Sequence, residues 1–349
     1  MNRLHQIVSA SSPVRLPAIL RVLLGSVAVV RGLEAHRIMR PFSSADVIRI
    51  PYVTWMPEPS GPLVTLLVVV WLTAGLLFTV GYRTRLSGFA LTAAMAAGLM
   101  IDQQAYSNHL YLLTVMVGLL TLSGPGGAFS IDARWGRGPT HALMWPLVLM
   151  KVQITVVYLF AALTKLNSTY ISGRVLAGQL GTGLVPFPDG WRVPRVLMWF
   201  AVASVVVEIV IAFYLWHPQR RFIGVGAGVL LHVSIVLAMT PFIQLAVFSS
   251  LMLASYLLFI PAREPRTVEA PPALGQLVAR LDWLKTMTVS PGTALRTQRG
   301  AVAHDDWSAA IVIGDELPAV YLAAPFLRLP LVRNLGANWL ARRSSELTV

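Results

Sequence analysis

The chain has 349 residues, of which 56% are hydrophobic and 12% charged; soluble domains carry about 25% charged residues, so an ordinary soluble protein is excluded and a polytopic membrane protein is predicted. The net charge of +13 arises from 28 Lys and Arg against 15 Asp and Glu, but the arginines sit in short connections between apolar runs. That placement excludes a dense basic–aromatic surface for nucleic acid and fits positive-inside topology. No cysteine occurs, which rules out disulfides, thiolate nucleophiles, iron–sulfur clusters and zinc–thiolate sites.

Residues 1–13 form a polar start. The first apolar run begins near Leu16, contains Arg21 and Arg31 and lacks a small-residue cleavage site, so it is expected to be a retained membrane helix over Val14–Arg37. Charges inside a span face the bundle interior, and Arg31 with Glu34 forms an i,i+3 pair able to neutralise itself. Pro41–Pro62 is a proline-rich loop with Tyr52 and Trp55 suited to the membrane interface. Further apolar runs near 62–80, 86–101, 109–124, 143–164, 196–216, 222–240 and 242–260 bring the total to about eight spans. The expected fold is an all-α polytopic membrane bundle over 14–260, a linker over 261–272 and a C-terminal appendage over 273–349. Pattern leaves open whether that appendage is a small α/β domain or helices lying on the membrane.

The alternate connections holding Arg83 and Arg85, Arg134 and Arg137, Arg220 and Arg221, and Arg263 and Arg266 share a side with Arg3 and Arg15. Both termini are therefore expected to be cytoplasmic, with Lys165 toward the outer face. No internal repeat suggests an inverted-repeat transporter.

The segment Lys151–Arg174 is where an apolar helix carries chemistry. Lys151, Tyr158 and Lys165 are spaced by seven, which at about 100° per residue puts two amines and a phenol on one face. Only three cations are Lys, against 25 Arg. An arginine cannot release its proton, whereas a desolvated ammonium can be driven to act as a base. The plainer alternative is a lysine snorkelling to the headgroups. Tyr158 either lines the same cavity or bonds a backbone carbonyl. Glu208 and His232 lie inside later spans and are candidates to pair with each other or with Lys165, functionally or structurally. His5, His36, His141, His217 and His304 lie near termini or loops without metal-ligand spacing, so no metal is assigned. Gly124-Pro-Gly-Gly127 is a turn lacking the strand–helix context of a phosphate loop.

Three segments resemble one family: Asn108-His109-Leu110-Tyr111, then Gln153…Tyr158-Leu-Phe-Ala161…Lys165-Leu166-Asn167, then Phe248-Ser-Ser-Leu-Met-Leu-Ala-Ser255. They are similar, over about 14–260, to the HTTM domain shared by bacterial proteins and vitamin K-dependent gamma-glutamyl carboxylase. The resemblance implies a multi-pass bacterial plasma-membrane enzyme of the lyase class, with Lys165 as the base toward a hydroquinone and His109 and Asn108 in the reaction centre. Tyr158, Asn167, Glu208 and His232 become candidate quinone- or substrate-binding residues. The implied cofactors are reduced vitamin K or a related quinone, with O2 and CO2 and no metal. The implied partners are membrane lipid, the quinone and a peptide or small-molecule carboxyl acceptor, without nucleic acid. The family's Lys-Leu-Asp is Lys165-Leu166-Asn167 here, and the animal enzyme's large lumenal region has no counterpart of similar size. The alternative is a non-catalytic quinone- or lipid-binding protein, or a scaffold for a partner. Ala301…Leu317-Pro318…Tyr321–Arg333…Trp339–Arg343 is similar to the end of the DCC family of thioredoxin-like proteins, without that family's cysteine pair.

Overall fold

The computed structural model describes residues 10–346 except 45, 53–57, 180–182, 187, 218–219, 240–241 and 260–265. His5, Trp55, Arg3 and Arg263 therefore lie outside the described residues. The chain forms two compact units: residues up to 213 with 227–258, and 214–226 with those from 259 on.

The first unit is a helical bundle. Helices α1 (Arg15–Met39), α2 (Gly61–Val80), α3 (Thr84–Met100), α4 (Asn108–Ser123), α5 (Met144–Lys165), α6 (Pro194–Tyr214), α7 (Arg221–Ala238) and α8 (Phe242–Ser255) stand at the eight expected places, Tyr214 and the α7 residues before 227 being counted with the second unit. Six of them, all but α3 and α4, are long and apolar enough to cross a membrane, α8 by continuing through the 3-10 turn Tyr256–Phe259 into a run of 18 residues. Helix α3 has 17 residues and α4 has 16, at or below the low end of the ~17–25 that a crossing takes.

The core runs along α1 to α5 through Leu20, Leu24, Trp71, Phe78, Leu91, Met95, Met116, Leu120 and Met150, all fully buried. Trp71 is polar only at its indole N–H, which donates to the Ala28 carbonyl at 2.9 Å. Arg21, fully buried on α1, donates to the carbonyls of Phe78 and Thr79 at 2.8 Å each and of Phe129 at 2.5 Å. It thus supplies donors to carbonyls left open at the end of α2. The expected Arg31–Glu34 pair forms at 2.6 Å. A short antiparallel pair, β1 (Ser11–Pro13) with β2 (His141–Leu143), ties the residue run before α1 to the start of α5.

The second unit contains a four-stranded sheet. Strands β3 (Arg266–Ala270), β4 (Met287–Pro291), β5 (Arg296–Arg299) and β6 (Val302–Asp305) lie in the order β4-β3-β5-β6. Strands β3 and β4 run parallel across helix α9 (Pro272–Leu281), and β5 and β6 are antiparallel to their neighbours. Helices α10 (Asp306–Gly314) and α11 (Pro330–Glu346) follow. The appendage is therefore α/β, with a core of Val268, Ala270, Val278, Leu295, Ala309, Ile313 and Leu317.

Residues 266–270, expected to be linker, are a strand at the middle of this sheet. The segment reads as polar because Arg266 points inward, but Arg266 and Arg299 both grip Glu316 with paired hydrogen bonds of 2.8–3.1 Å. A buried cation so paired leaves Val268 and Ala270 free to alternate into the core.

Candidate functional site

Lys165 is the last residue of α5, and its Nζ lies 2.5 Å from Glu208 Oε1 on α6. The side chains are 24% and 6% exposed, respectively. Isolated charges at such depth would be costly, and each neutralises the other. The second carboxylate oxygen, Oε2, is buried and accepts no hydrogen bond among the described residues. Lys165 also lies over the Tyr170 ring at 5.4 Å, and the Tyr170 hydroxyl meets Ser204 Oγ at 2.9 Å.

Lys165, Tyr170 and Ser204 border a cavity of about 390 Å³ whose other walls include Leu176, Trp191, Phe200, Ile235 and Met239. Apolar and aromatic walls with one amine and a few hydroxyls suit a flat, apolar molecule carrying a polar substituent.

Two turns back on α5, Tyr158 opens a chain of side chains through the buried interior. Its hydroxyl lies 2.7 Å from His232 Nε2 on α7 and is bonded to the Tyr256 hydroxyl beyond α8. His232 Nδ1 lies 3.3 Å from Ser249 Oγ, and Ser249 donates to the His232 carbonyl at 3.5 Å. One donor order satisfies them all. Ser249 spends its hydrogen on the carbonyl and so accepts from Nδ1–H. Nε2 then accepts from Tyr158, and Tyr158 accepts from Tyr256. Tyr256 reaches this point because residue 228 is glycine: a Cβ there would overlap the Tyr256 hydroxyl.

His109, near the start of α4, is half-buried and stacks on Phe248 with ring centres 4.3 Å apart. Phe248 in turn presents to His232 at 5.5 Å, so His109 is joined to the network through an aromatic ring. Asn108 is exposed. Asn167 is exposed and spent locally: Oδ1 accepts from the Tyr170 N–H at 2.9 Å, and Nδ2 donates to the Thr164 carbonyl at 2.8 Å. The structure thus brings together Lys165 with Glu208, and Tyr158 with His232 and His109, but not Asn108 or Asn167. Tyr158 bonds side chains rather than a backbone carbonyl.

Sequence reasoning missed Tyr256, Tyr170 and Ser204 and gave Ser249 no role. The available signal was the spacing of Ser249 and Tyr256 by seven, which sets two hydroxyls on one face of an apolar run.

Residues 12–263 match the family model of the HTTM domain. No curated protein and no solved structure matches the chain.

Proposed function

We propose, from the premise that the chain belongs to the HTTM domain family, that Lys165 and Glu208 form the proton-handling pair of a quinone-dependent membrane enzyme. HTTM is a membrane domain associated with the vitamin K-dependent carboxylase family. The observation that carries the reading is the ion pair at the edge of an aromatic-walled cavity, where Lys165 is the amine that meets a ligand.

The residues present fit a reduced naphthoquinone. Trp191 and Phe200 would flank an aromatic ring, Ser204 and Tyr170 would offer hydroxyl oxygens, and Lys165 would meet a ring oxygen. Such a hydroquinone, with O2, would supply the driving force for taking a proton from a carbon acid, to which CO2 then adds. Lys165 can accept a proton only as a free amine, and Glu208 supplies the means. Passing one proton across the 2.5 Å contact converts ammonium and carboxylate into amine and carboxylic acid. The largely apolar walls would limit water around that exchange. The peptide or small molecule accepting the carboxyl group is left unassigned.

The test is oxidation of a reduced naphthoquinone by the purified protein in nanodiscs. Epoxide formed by wild type and lost in both Lys165→Arg and Glu208→Gln supports the reading, since Arg keeps the charge but cannot release its proton.

The ion pair itself favours a second reading, a non-catalytic quinone- or lipid-binding protein, because a neutralised pair can hold α5 to α6 without chemistry. Quinone binding that survives in Lys165→Arg, without epoxide from wild type, would select it.

For the second unit, the parallel β3-α9-β4 start followed by an antiparallel hairpin supports a thioredoxin-like domain, one without cysteine chemistry. The reading also places both termini in the cytoplasm of a bacterial cell. Protease access to the C-terminal unit in inverted vesicles, but not in intact cells, is the expected result.

A further inference from the structure

The end of the bundle away from Lys165 carries a second cavity. Helix α5 has 22 residues, or about 33 Å at 1.5 Å per residue. Near its start, where α3 begins and α4 ends, lies a space of about 560 Å³ lined by Arg83, Thr84, Arg85, Gly126, Asp132 and Arg137, among others. Only Gly81–Arg83 separate α3 from the apolar span α2. A connection of three residues after an apolar span puts this cavity at the expected level of the lipid headgroups.

The charges there are unbalanced in a specific way. Asp132 is already spent: Oδ1 accepts the Arg83 N–H at 2.9 Å, and Oδ2 accepts the Thr84 N–H at 2.7 Å and the Thr84 hydroxyl at 2.6 Å. It occupies the N-terminus of α3 and keeps that helix end from being the anion site. The guanidinium groups of Arg83, Arg85 and Arg137 make no hydrogen bond or ion pair with any described residue. Arg137 lies over the Trp135 ring at 4.8 Å, a contact that uses the guanidinium charge and does not consume its N–H donors.

Three forked donors around one cavity match the several oxygens of a phosphate group, which arginine binds in pairs of parallel hydrogen bonds. Among the described residues of the lining Asp132 supplies the only negative charge, and it is bonded to the start of α3. We infer that this cavity binds a phosphate group, carried by the headgroup of an anionic phospholipid. Positive-inside topology accounts for arginines at this end but not for three of them converging on one cavity.

The experiment uses the full chain in nanodiscs of phosphatidylcholine with or without phosphatidylglycerol, together with native mass spectrometry of lipid retained in detergent. Wild type should retain phosphatidylglycerol at least about tenfold over phosphatidylcholine, and the triple variant Arg83→Gln/Arg85→Gln/Arg137→Gln should lose that preference. Arg134→Gln, which removes an exposed charge at the same end but outside the lining, should keep it. Arg85→Gln alone, at an exposed position without bonded partners to lose, should weaken retention about threefold or more and stands in if the triple variant does not fold. A second arm adds inorganic phosphate to wild type in phosphatidylcholine alone. Stabilisation by phosphate equal to that by phosphatidylglycerol identifies the free ion as the natural source, and stabilisation by the lipid only identifies the headgroup. Equal retention by wild type and triple variant, or equal loss in Arg134→Gln, overturns the proposal. So does the absence of any preference in wild type.

Discussion

His232 Nε2 stands 2.7 Å from the Tyr158 hydroxyl, so α5 and α7 are joined inside the bundle by a bond whose direction is decided at Ser249 on α8. Because Ser249 accepts from Nδ1, the imidazole can only accept at Nε2. One serine thereby orients hydroxyls on two other elements.

Tyr158→Phe strands the acceptor Nε2 and leaves Tyr256 without an acceptor, and should cost about 1–3 kcal/mol. Tyr256→Phe removes only the outermost donor and should cost less. The double variant should fall short of the sum of the two by about 0.5 kcal/mol or more, read as equilibrium unfolding in mixed micelles. Strict additivity would mean the two hydroxyls do not share a network.

Removing either partner of Lys165–Glu208 leaves a charge in the bundle, but not equally. Glu208 is the more deeply buried, so Lys165→Met should destabilise more than Glu208→Leu, by up to about 3–5 kcal/mol against a smaller loss. The double variant should recover most of the deficit. A double variant as unstable as Lys165→Met would show that packing, rather than charge, sets the cost.

Arg21 tests whether a cation can serve as a helix cap. Lysine at this position keeps the charge but cannot span the carbonyls of Phe78, Thr79 and Phe129 at once. Arg21→Lys should therefore behave much like Arg21→Met in thermal unfolding, both losing about 3 kcal/mol or more. Near-wild-type stability of the lysine variant would mean that charge alone suffices.

Asp132 lies outside the spans, and its carboxyl is held below the ordinary carboxylate range. Burial pulls it upward, but the hydrogen bonds from Thr84 and the Arg83 N–H, with the Arg137 charge, outweigh that. The folded value is below the unfolded one of about 3.9, so its stabilisation is complete above that pH and is lost as the pH falls beneath it. Wild type should lose stability on acidification below about pH 4 more steeply than Asp132→Asn, measured as unfolding midpoints from pH 6 to pH 3.

The helices were legible because apolar runs of nearly membrane length leave little choice of structure. Glu208, His232, Lys165 and Tyr158 were legible as candidates because ionisable groups are rare in such runs. Their partners were not: Lys165 with Glu208 rather than with His232, and Tyr158 with His232, depend on how α5, α6 and α7 are turned against one another. Tyr256 and Ser249 gave only their seven-residue spacing, a faint signal, since hydroxyls are inexpensive in a helix when they bond their own backbone. The strand at 266–270 was hidden by Arg266, whose burial depends on Glu316, fifty residues away. Asn108 and Asn167 entered through resemblance, and for Asn167 the structure supplies a local capping task.

Gly228 has no side chain to take part in anything, yet it decides whether Tyr256 can be a neighbour of Tyr158. A methyl group added at 228 would turn the tyrosine aside, and loss of the tyrosine would leave an empty notch against α7. Either change alone is a step downhill, so across related chains the two positions should drift as a pair. A chain carrying alanine at the first should have given up the hydroxyl at the second.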